Sequence, residues 1–251
     1  MNLGNPIAVG NTAEIYQYDD KIVKVFKKHL PPSEHLHEAK KLEYASSCGL
    51  PVPKILKVTE IAGRQVIIME YIKGKTAGAL LIKNMESAEN YLNICVDMQQ
   101  KIHALPADAS VIGSMTAKLH NQIQSVEILN RTQKSFLLKK LGSMIFEPKL
   151  CHGDFHPFNL ILSDGKVCVI DWADSSSGDV RADVIRTFLL LAEVSVKLAE
   201  MYVHIYCRIS GLSRDEVFQW TPIIAAARLS ENLSAAENTR LLEIVEQTSG
   251  T

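Results

Sequence analysis

Between residues 152 and 171 the chain reads His152-Gly153-Asp154-Phe155-His156-Pro157-Phe158-Asn159, a short apolar run, Asp164-Gly165, and Val169-Ile170-Asp171. Leu160, Ile161 and Leu162 precede a Ser163-Asp164-Gly165-Lys166 turn, after which Val167, Val169 and Asp171 alternate with Cys168 and Ile170, the pattern of a tight β-hairpin. Such a hairpin brings Asn159, at the start of one strand, beside Asp171, at the end of its partner. Two oxygen donors so placed suit magnesium, which takes few protein carboxylates and completes its shell with water and phosphate oxygens. Asp154, five residues before the Asn, supplies a carboxylate to orient a hydroxyl, so the set fits phosphoryl transfer.

Another reading of His152-x-Asp154-x-His156 is a transition-metal site. Zinc recruits further His or Cys ligands at ligand spacing, and the remaining histidines, at 29, 35, 37, 103, 120 and 204, form no such set. His35 and His37 lie two residues apart on an expected helix and so do not share a face.

The N-terminal part supplies candidate partners. Val9-Gly10-Asn11-Thr12-Ala13-Glu14-Ile15-Tyr16 reads as strand, polar turn and strand, a hairpin able to lay backbone amides over phosphates. After a turn at Asp19-Asp20, Lys21 to Phe26 has strong strand character, with Ile22, Lys24 and Phe26 on one face and Val23 and Val25 on the other. A lysine there is unusual, since lysines are rarely buried without a partner; its plain role is a solvated edge strand. Pro31-Pro32 punctuates, Ser33 is the expected N-cap, and Glu34 to Ser47 reads as a helix with apolar positions at Leu36, Ala39, Leu42 and Tyr44 or Ala45. Glu38 lies one turn in. Arg64 to Tyr71 is an apolar strand that ends in a turn at Gly74.

The 152–171 stretch resembles the catalytic and metal-binding loops of the aminoglycoside phosphotransferase family, which includes choline-kinase-like enzymes and shares the protein-kinase fold. His156 stands where protein kinases commonly carry a lysine; the small-molecule kinases often have His-Pro there. The resemblance implies an α+β, two-lobed protein-kinase-like fold. Residues 1–74 form the nucleotide-clamping lobe, a small antiparallel sheet plus one helix, and residues 75–251 a larger, mostly helical catalytic and acceptor-binding lobe. It implies ATP or GTP with magnesium as cofactors, Asp154 as the catalytic group, and Asn159 and Asp171 as metal ligands. Lys24 pairs with Glu38 and aims at the phosphates under the turn at Gly10. Main-chain groups near Glu70 and Ile72 meet the adenine edge, and Ile22, Ile161 and Ile170 contact the nucleotide. His152, His156, Asp179 and Asp183 support the loop, and His103 is a structural helix-end residue capping carbonyls.

The acceptor follows from what comes after Asp171. A protein acceptor is gripped by a long segment closing on an Ala-Pro-Glu-like anchor. Here Trp172-Ala173-Asp174-Ser175-Ser176-Ser177-Gly178-Asp179 leads directly to a helical run from Asp183, which points to a small hydroxylated molecule. Polycationic aminoglycosides call for carboxylates. From Asp183 onward there are nine acids and six bases, an ordinary surface balance, and Glu231 is the candidate acceptor contact. A catalytically silent nucleotide-binding module and a protein kinase are the alternatives. The acceptor's identity, any link to antibiotic resistance, ATP against GTP preference and oligomeric state stay open.

Composition excludes other classes. With 251 residues, 47% of them hydrophobic, the chain can bury a substantial core. Lys plus Arg total 27 against 28 acids, so no basic stripe suggests nucleic acid. Five widely spaced cysteines suit reduced thiols in a cytoplasm. The N-terminus shows no leader, and the apolar patch at Phe188–Ala192 is cut by Glu193 and Lys197, so no membrane span is expected. Helical periodicity runs from Leu80 to Lys140 and from Asp183 onward. It includes stripes at Tyr91, Ile94, Cys95, Met98 and Ile102 and at Leu119, Ile123, Val126 and Leu129 or Asn130. Ser213-x-x-Glu216 fits a capping box and Thr221-Pro222 a cap with first-turn proline.

Overall fold

A computed structural model describes residues 3–249; Met1 and Asn2, part of the N-terminus read above for a leader, lie outside them. The chain divides into two compact units, one of residues up to Leu80 together with Phe158–Asp174, the other of Leu81–Pro157 and Ser175 onward. The hairpin that follows Asn159 thus groups with the N-terminal elements.

In the first unit β1 (Ala8–Val9), β2 (Ala13–Tyr18), β3 (Lys21–Phe26), β4 (Ile55–Ile61) and β5 (Arg64–Glu70) form an antiparallel sheet in the order β1-β2-β3-β5-β4. β3 is an interior strand, with Lys24 opposite Ile15 on one side and Ile67 on the other, and not the solvated edge that a lone lysine suggested. Its two faces separate as the alternation requires. Val23 and Val25 bury against Val66, whereas Phe26 buries with Ala39 and Ile67 beneath α1 (Glu34–Ser47).

α1 has the expected span, with two corrections. Ser33 precedes it in a left-handed conformation, φ 75°, and its side chain caps nothing. A neighbouring strand does that work instead, since the Gln65 Oε1 atom accepts the His35 N–H at 3.2 Å. Leu36 is exposed because the buried face centres on His35, Glu38, Ala39, Leu42 and Ala45.

β6 (Lys75–Thr76), β8 (Leu160–Ser163) and β9 (Lys166–Val169) make a second small sheet in the order β6-β8-β9. Asp164 and Gly165 at the β8–β9 turn have φ of 46° and 76°, the double positive φ of a type I′ turn.

α2 (Ala77–Lys83) carries the chain out of this unit. The second unit contains α3 (Ala88–His103), α4 (Ala109–Ile112), α5 (Met115–Ser125), α6 (Arg131–Ser143), β7 (Lys149–Cys151), β10 (Ser176–Gly178), α7 (Val180–Val194), α8 (Val196–Ser210), α9 (Arg214–Phe218), α10 (Thr221–Arg228) and α11 (Ala235–Ser249). β7 and β10 pair antiparallel. The core gathers Leu92, Val96, Ile123, Leu137, Leu189, Tyr202, Trp220 and Leu241.

The α3 stripe is rotated from the expected one. Leu92, Cys95, Val96, Met98, Gln99, Ile102 and His103 face inward, while Tyr91 and Ile94 are half-buried. On the second stripe Leu119 and Ile123 are buried as expected; α5 then ends, Val126 and Leu129 bury from the loop, and Asn130 caps α6. The Ser213–Glu216 capping box forms. Thr221 does not cap α10; Trp220 holds that position in helical geometry with no side-chain cap, because the chain enters α10 almost directly from α9. Among the described residues no helix is long and apolar enough to cross a membrane.

Candidate active site

Within the first unit three charged side chains converge. The Lys24 Nζ atom lies 2.6 Å from Glu38 Oε1 and 3.0 Å from Asp171 Oδ1. Lys24 and Glu38 are 6% and 5% exposed, so the ammonium is held by protein and not by bulk water. Burial alone would push the Lys24 pKa down, but the charges of Glu38 and Asp171 outweigh it and hold the group above the ordinary lysine range. Lys24 is therefore a permanent cation at physiological pH.

Local structure aims each partner. Glu38 sits on the buried face of α1, whose first turn is tied to β5 through Gln65. Asp171 follows β9 with φ 62°, a left-handed conformation rare outside glycine and best tolerated by Asp and Asn. Its neighbours fix that bend: the Trp172 Nε1–H donates to the Val169 carbonyl at 3.1 Å, and the Lys41 ammonium to the Ala173 carbonyl at 2.6 Å. The Ile170 N–H donates to the Asn159 carbonyl at 2.9 Å, which sets Asn159 and Asp171 on adjacent segments. Asn159 is buried and Asp171 about half exposed.

These groups border a cavity of about 390 Å³, the size of a small-molecule site. Ile22, Met69, Ile161 and Ile170 give it apolar walls, and Lys24, Glu38 and Asp171 are among its charged groups. Glu70 and Ile72 line it at the end of β5. The β1–β2 hairpin contributes Ile7, Ala8 and Ile15; Gly10 is not among the lining residues, and its N–H bonds the Ala13 carbonyl.

Within the second unit the loop 152–155 is gripped by one face of α7. Asp183 accepts the main-chain N–H of Gly153 at 2.7 Å and of His152 at 3.2 Å. One turn later the Thr187 hydroxyl donates to the Phe155 carbonyl at 2.8 Å. Burial would push the Asp183 carboxyl up, yet hydrogen bonding and charge from His103 hold it below the usual carboxylate range. Gly153 has φ 80°, which lets the chain turn between these contacts. His152 is fully buried, and its Nδ1 accepts the Asp154 N–H at 3.3 Å.

Besides His152, two ionisable groups of this unit approach the Asp154 carboxylate: Arg186 Nη2 lies 3.5 Å from Oδ1, and His156 Nε2 lies 3.5 Å from Oδ2. Burial opposes ionisation, but His156 and Arg186 outweigh it and hold the carboxyl well below its usual range. Asp179 caps α7 by accepting the Arg181 N–H at 2.8 Å and also receives the Trp220 indole N–H at 3.0 Å. Glu231 is engaged by Arg186, and by Arg228 with Nε 3.6 Å from Oε2.

His103 does not cap carbonyls. Its Nε2 lies 2.9 Å from Asp183 Oδ2 and its Nδ1 2.6 Å from the Tyr206 hydroxyl, because Asp183 is a buried carboxylate in need of partners. Gln99, Tyr206, Arg186 and Thr187 went unread in the sequence. The i, i+3, i+4 spacing of Asp183, Arg186 and Thr187 was the available signal, since such residues share a helix face.

Among the described residues the one cluster of three metal-type ligands is His103, Cys151 and Asp183, with ligand atoms within 4.8 Å of one another. It does not involve His156 or Asp154. Burial pushes the Cys151 thiol well up, away from the thiolate a metal needs, and His103 and Asp183 already bond each other. These contacts make the cluster a structural one.

Comparison with curated protein sequences returns no match. Solved structures agree over nearly the whole chain. A thermostable mutant of aminoglycoside phosphotransferase APH(4)-Ia is 15% identical, with a TM-score of 0.71 over 98% of this chain and 94% of that one. Aminoglycoside phosphotransferase APH(2'')-Ib, solved bound to ADP, is 16% identical, with a TM-score of 0.63 over 98% and 92%. A choline/ethanolamine kinase family protein from Mesorhizobium loti is 14% identical, with a TM-score of 0.64 over 96% and 87%. At such identities the likeness establishes the fold, two-lobed α+β and protein-kinase-like. The sequence carries the family itself: residues 5–218 match the model described as the phosphotransferase enzyme family, and the chain belongs to that family.

Proposed function

We propose that this protein transfers the γ-phosphoryl group of ATP or GTP, with magnesium, to a hydroxyl of a small molecule. The observation that carries this reading is the buried Lys24 ammonium fixed between Glu38 and Asp171 on the wall of an apolar cavity. A lysine so desolvated and oriented is suited to phosphate oxygens. The apolar walls suit a nucleobase, and the main chain at Glu70 and Ile72 suits its polar edge.

Asn159 and Asp171 fit magnesium: both offer oxygen, hydrogen bonding holds their segments together, and Asp171 is open to solvent on one side. The cation, when bound there, supplies positive charge to the phosphate oxygens. Lys24 adds a second fixed charge. Asp154 orients the acceptor hydroxyl by accepting its hydrogen bond. Because its neighbours keep it ionised, it acts by placement more than by basicity, as a loose transition state requires. Asp183 and Thr187 hold the loop that carries it.

A small acceptor is favoured by the chain after Asp171. Eight residues later the α7 cap, Asp179, is reached, and three of the residues between are spent on β10. That leaves no length to grip a polypeptide. A cytoplasmic setting agrees with five free cysteines.

The test is a screen of hydroxylated small molecules for nucleotide consumption with magnesium, followed by the mass of the product. Amino alcohols, sugars, aminoglycosides and macrolides form the panel, with generic proteins and labelled ATP as a separate arm. A product heavier by one phosphoryl group is expected from the first panel. Phosphorylation of the proteins alone would make this a protein kinase, and nucleotide binding without any product would make it a silent module.

A further inference from the structure

We propose that Arg186 is a positioning residue for Asp154 and that Glu231 anchors Arg186, so that Glu231 acts through the guanidinium and not on the acceptor. This rests on the phosphotransfer reading above for its consequence, though not for its geometry.

The geometry lies wholly within the second unit. Asp183, Arg186 and Thr187 occupy one face of α7. Two of them grip the main chain of the loop at residues 152, 153 and 155. Arg186 is the third and addresses the side chain of the residue between, with Nη2 3.5 Å from Asp154 Oδ1. One helix face thus sets both the backbone path of the loop and the direction of its carboxylate.

A guanidinium positions a carboxylate only if it is itself fixed, and its planar fork has two ends to fix. The other end, Nη1, bonds Glu231 Oε1. Glu231 in turn does not swing freely: its N–H donates to the Arg228 carbonyl at 2.9 Å, and Arg228 Nε is 3.6 Å from its Oε2. Arg228 is 1% exposed and is held by Glu237 at 2.8 Å and Glu193 at 3.3 Å. Alternating charges therefore run from α11 through the end of α10 to Asp154. With side-chain exposures of 15% for Arg186 and 25% for Asp154, the pair is shielded enough for geometry to matter. A carboxylate already shared by two guanidinium groups offers little to a cationic acceptor.

The test uses the full chain with Arg186→Leu, Arg186→Lys and Glu231→Gln. Asp154 is followed by carboxyl carbon NMR, assigned by difference from Asp154→Asn; His152 and His156 also face it and are titrated alongside. Arg186→Leu is expected to raise the Asp154 midpoint by about one pH unit or more, Arg186→Lys to restore most of it, and Glu231→Gln to move it part of the way. On an acceptor found by the screen, Arg186→Leu lowers kcat by about a hundredfold and leaves the nucleotide KM within about threefold, with partial rescue by Lys. An unshifted Asp154 in a folded Arg186→Leu protein overturns the proposal. So does a Glu231→Gln variant whose only change is a higher acceptor KM, since that is direct acceptor contact. If the wild type turns over no alcohol, the phosphotransfer reading fails, and the carboxyl titration still decides the role of Arg186.

Discussion

The ammonium of Lys24 lies 3.0 Å from a carboxylate oxygen of Asp171, a residue 147 positions further along the chain. An interior strand of the N-terminal sheet and the bend after a late hairpin are thereby joined at one charge. Glu38, at 2.6 Å on the same ammonium, completes the arrangement.

Lys24→Met tests that arrangement through stability. It leaves Glu38 buried beside Asp171 with no cation, and breaking a buried pair in this way costs on the order of 3 kcal/mol. Glu38 then keeps its proton in the folded state to a higher pH than in the unfolded chain. A raised folded pKa gives stability that is present below the unfolded value, about 4.3, and lost as pH rises through the folded one. Urea midpoints of the variant should fall from pH 5 to pH 8 relative to wild type. A constant gap across that range would mean the carboxylate finds another partner.

Asp183 carries the opposite sign. Its folded pKa is depressed by His103, so its contribution is present above the unfolded value, about 3.9, and is lost as pH falls through the lower folded one. Asp183→Asn should cost about 3 kcal/mol at neutral pH and flatten the loss of stability in acid. Denaturation curves at pH 7, 4 and 3 measure both. An acid limb as steep as that of the wild type would assign the acid sensitivity elsewhere.

Thr187→Val keeps shape and removes one hydroxyl. The Phe155 carbonyl then loses its donor in a buried setting, which costs roughly 1–3 kcal/mol. A drop in turnover beyond what the remaining folded fraction explains is expected, because the loop bearing Asp154 loses one of its fixed points. Full specific activity per folded molecule would show that Asp183 alone sets the loop.

Gly74→Ala probes how closely the chain packs beside the cavity. An added Cβ would sit 2.4 Å from the Leu162 carbonyl oxygen, a main-chain atom with little room to yield. A loss of about 1–3 kcal/mol is expected, together with weaker nucleotide binding, since Gly74 lines the same cavity. Calorimetric melting and nucleotide titration read the two effects separately.

The spans that local chemistry controls were legible in the sequence. Asp164-Gly165 names its own turn, alternation sorts Val23 and Val25 from Lys24, and α1 runs over the expected residues. The pairing of Lys24 with Glu38 was reached through resemblance, and the structure adds Asp171 as a second carboxylate on the same ammonium. Contacts that depend on how helices rotate in packing were not legible. Leu36 faces solvent and Leu92 the core because α1 and α3 turn a different edge inward than apolar periodicity alone selects. Ser33 fails as a cap because Gln65, thirty-two residues away in sequence, satisfies the helix start. Arg186 and Thr187 read as ordinary residues of an amphipathic helix until the 152–155 loop is laid against them. Their partners are main-chain atoms and a carboxylate far off in the chain.

The proposed function gives Asp154 the acceptor hydroxyl to orient and gives Lys24, Asn159 and Asp171 the nucleotide and magnesium to hold. Its most direct test is a paired measurement on wild type and Asp154→Asn, with magnesium–ATP affinity by calorimetry and phosphorylated product by mass on an acceptor identified in the screen. ATP binding within about threefold of wild type and transfer reduced by about a thousandfold or more are expected. Undiminished transfer by Asp154→Asn would contradict the proposed function.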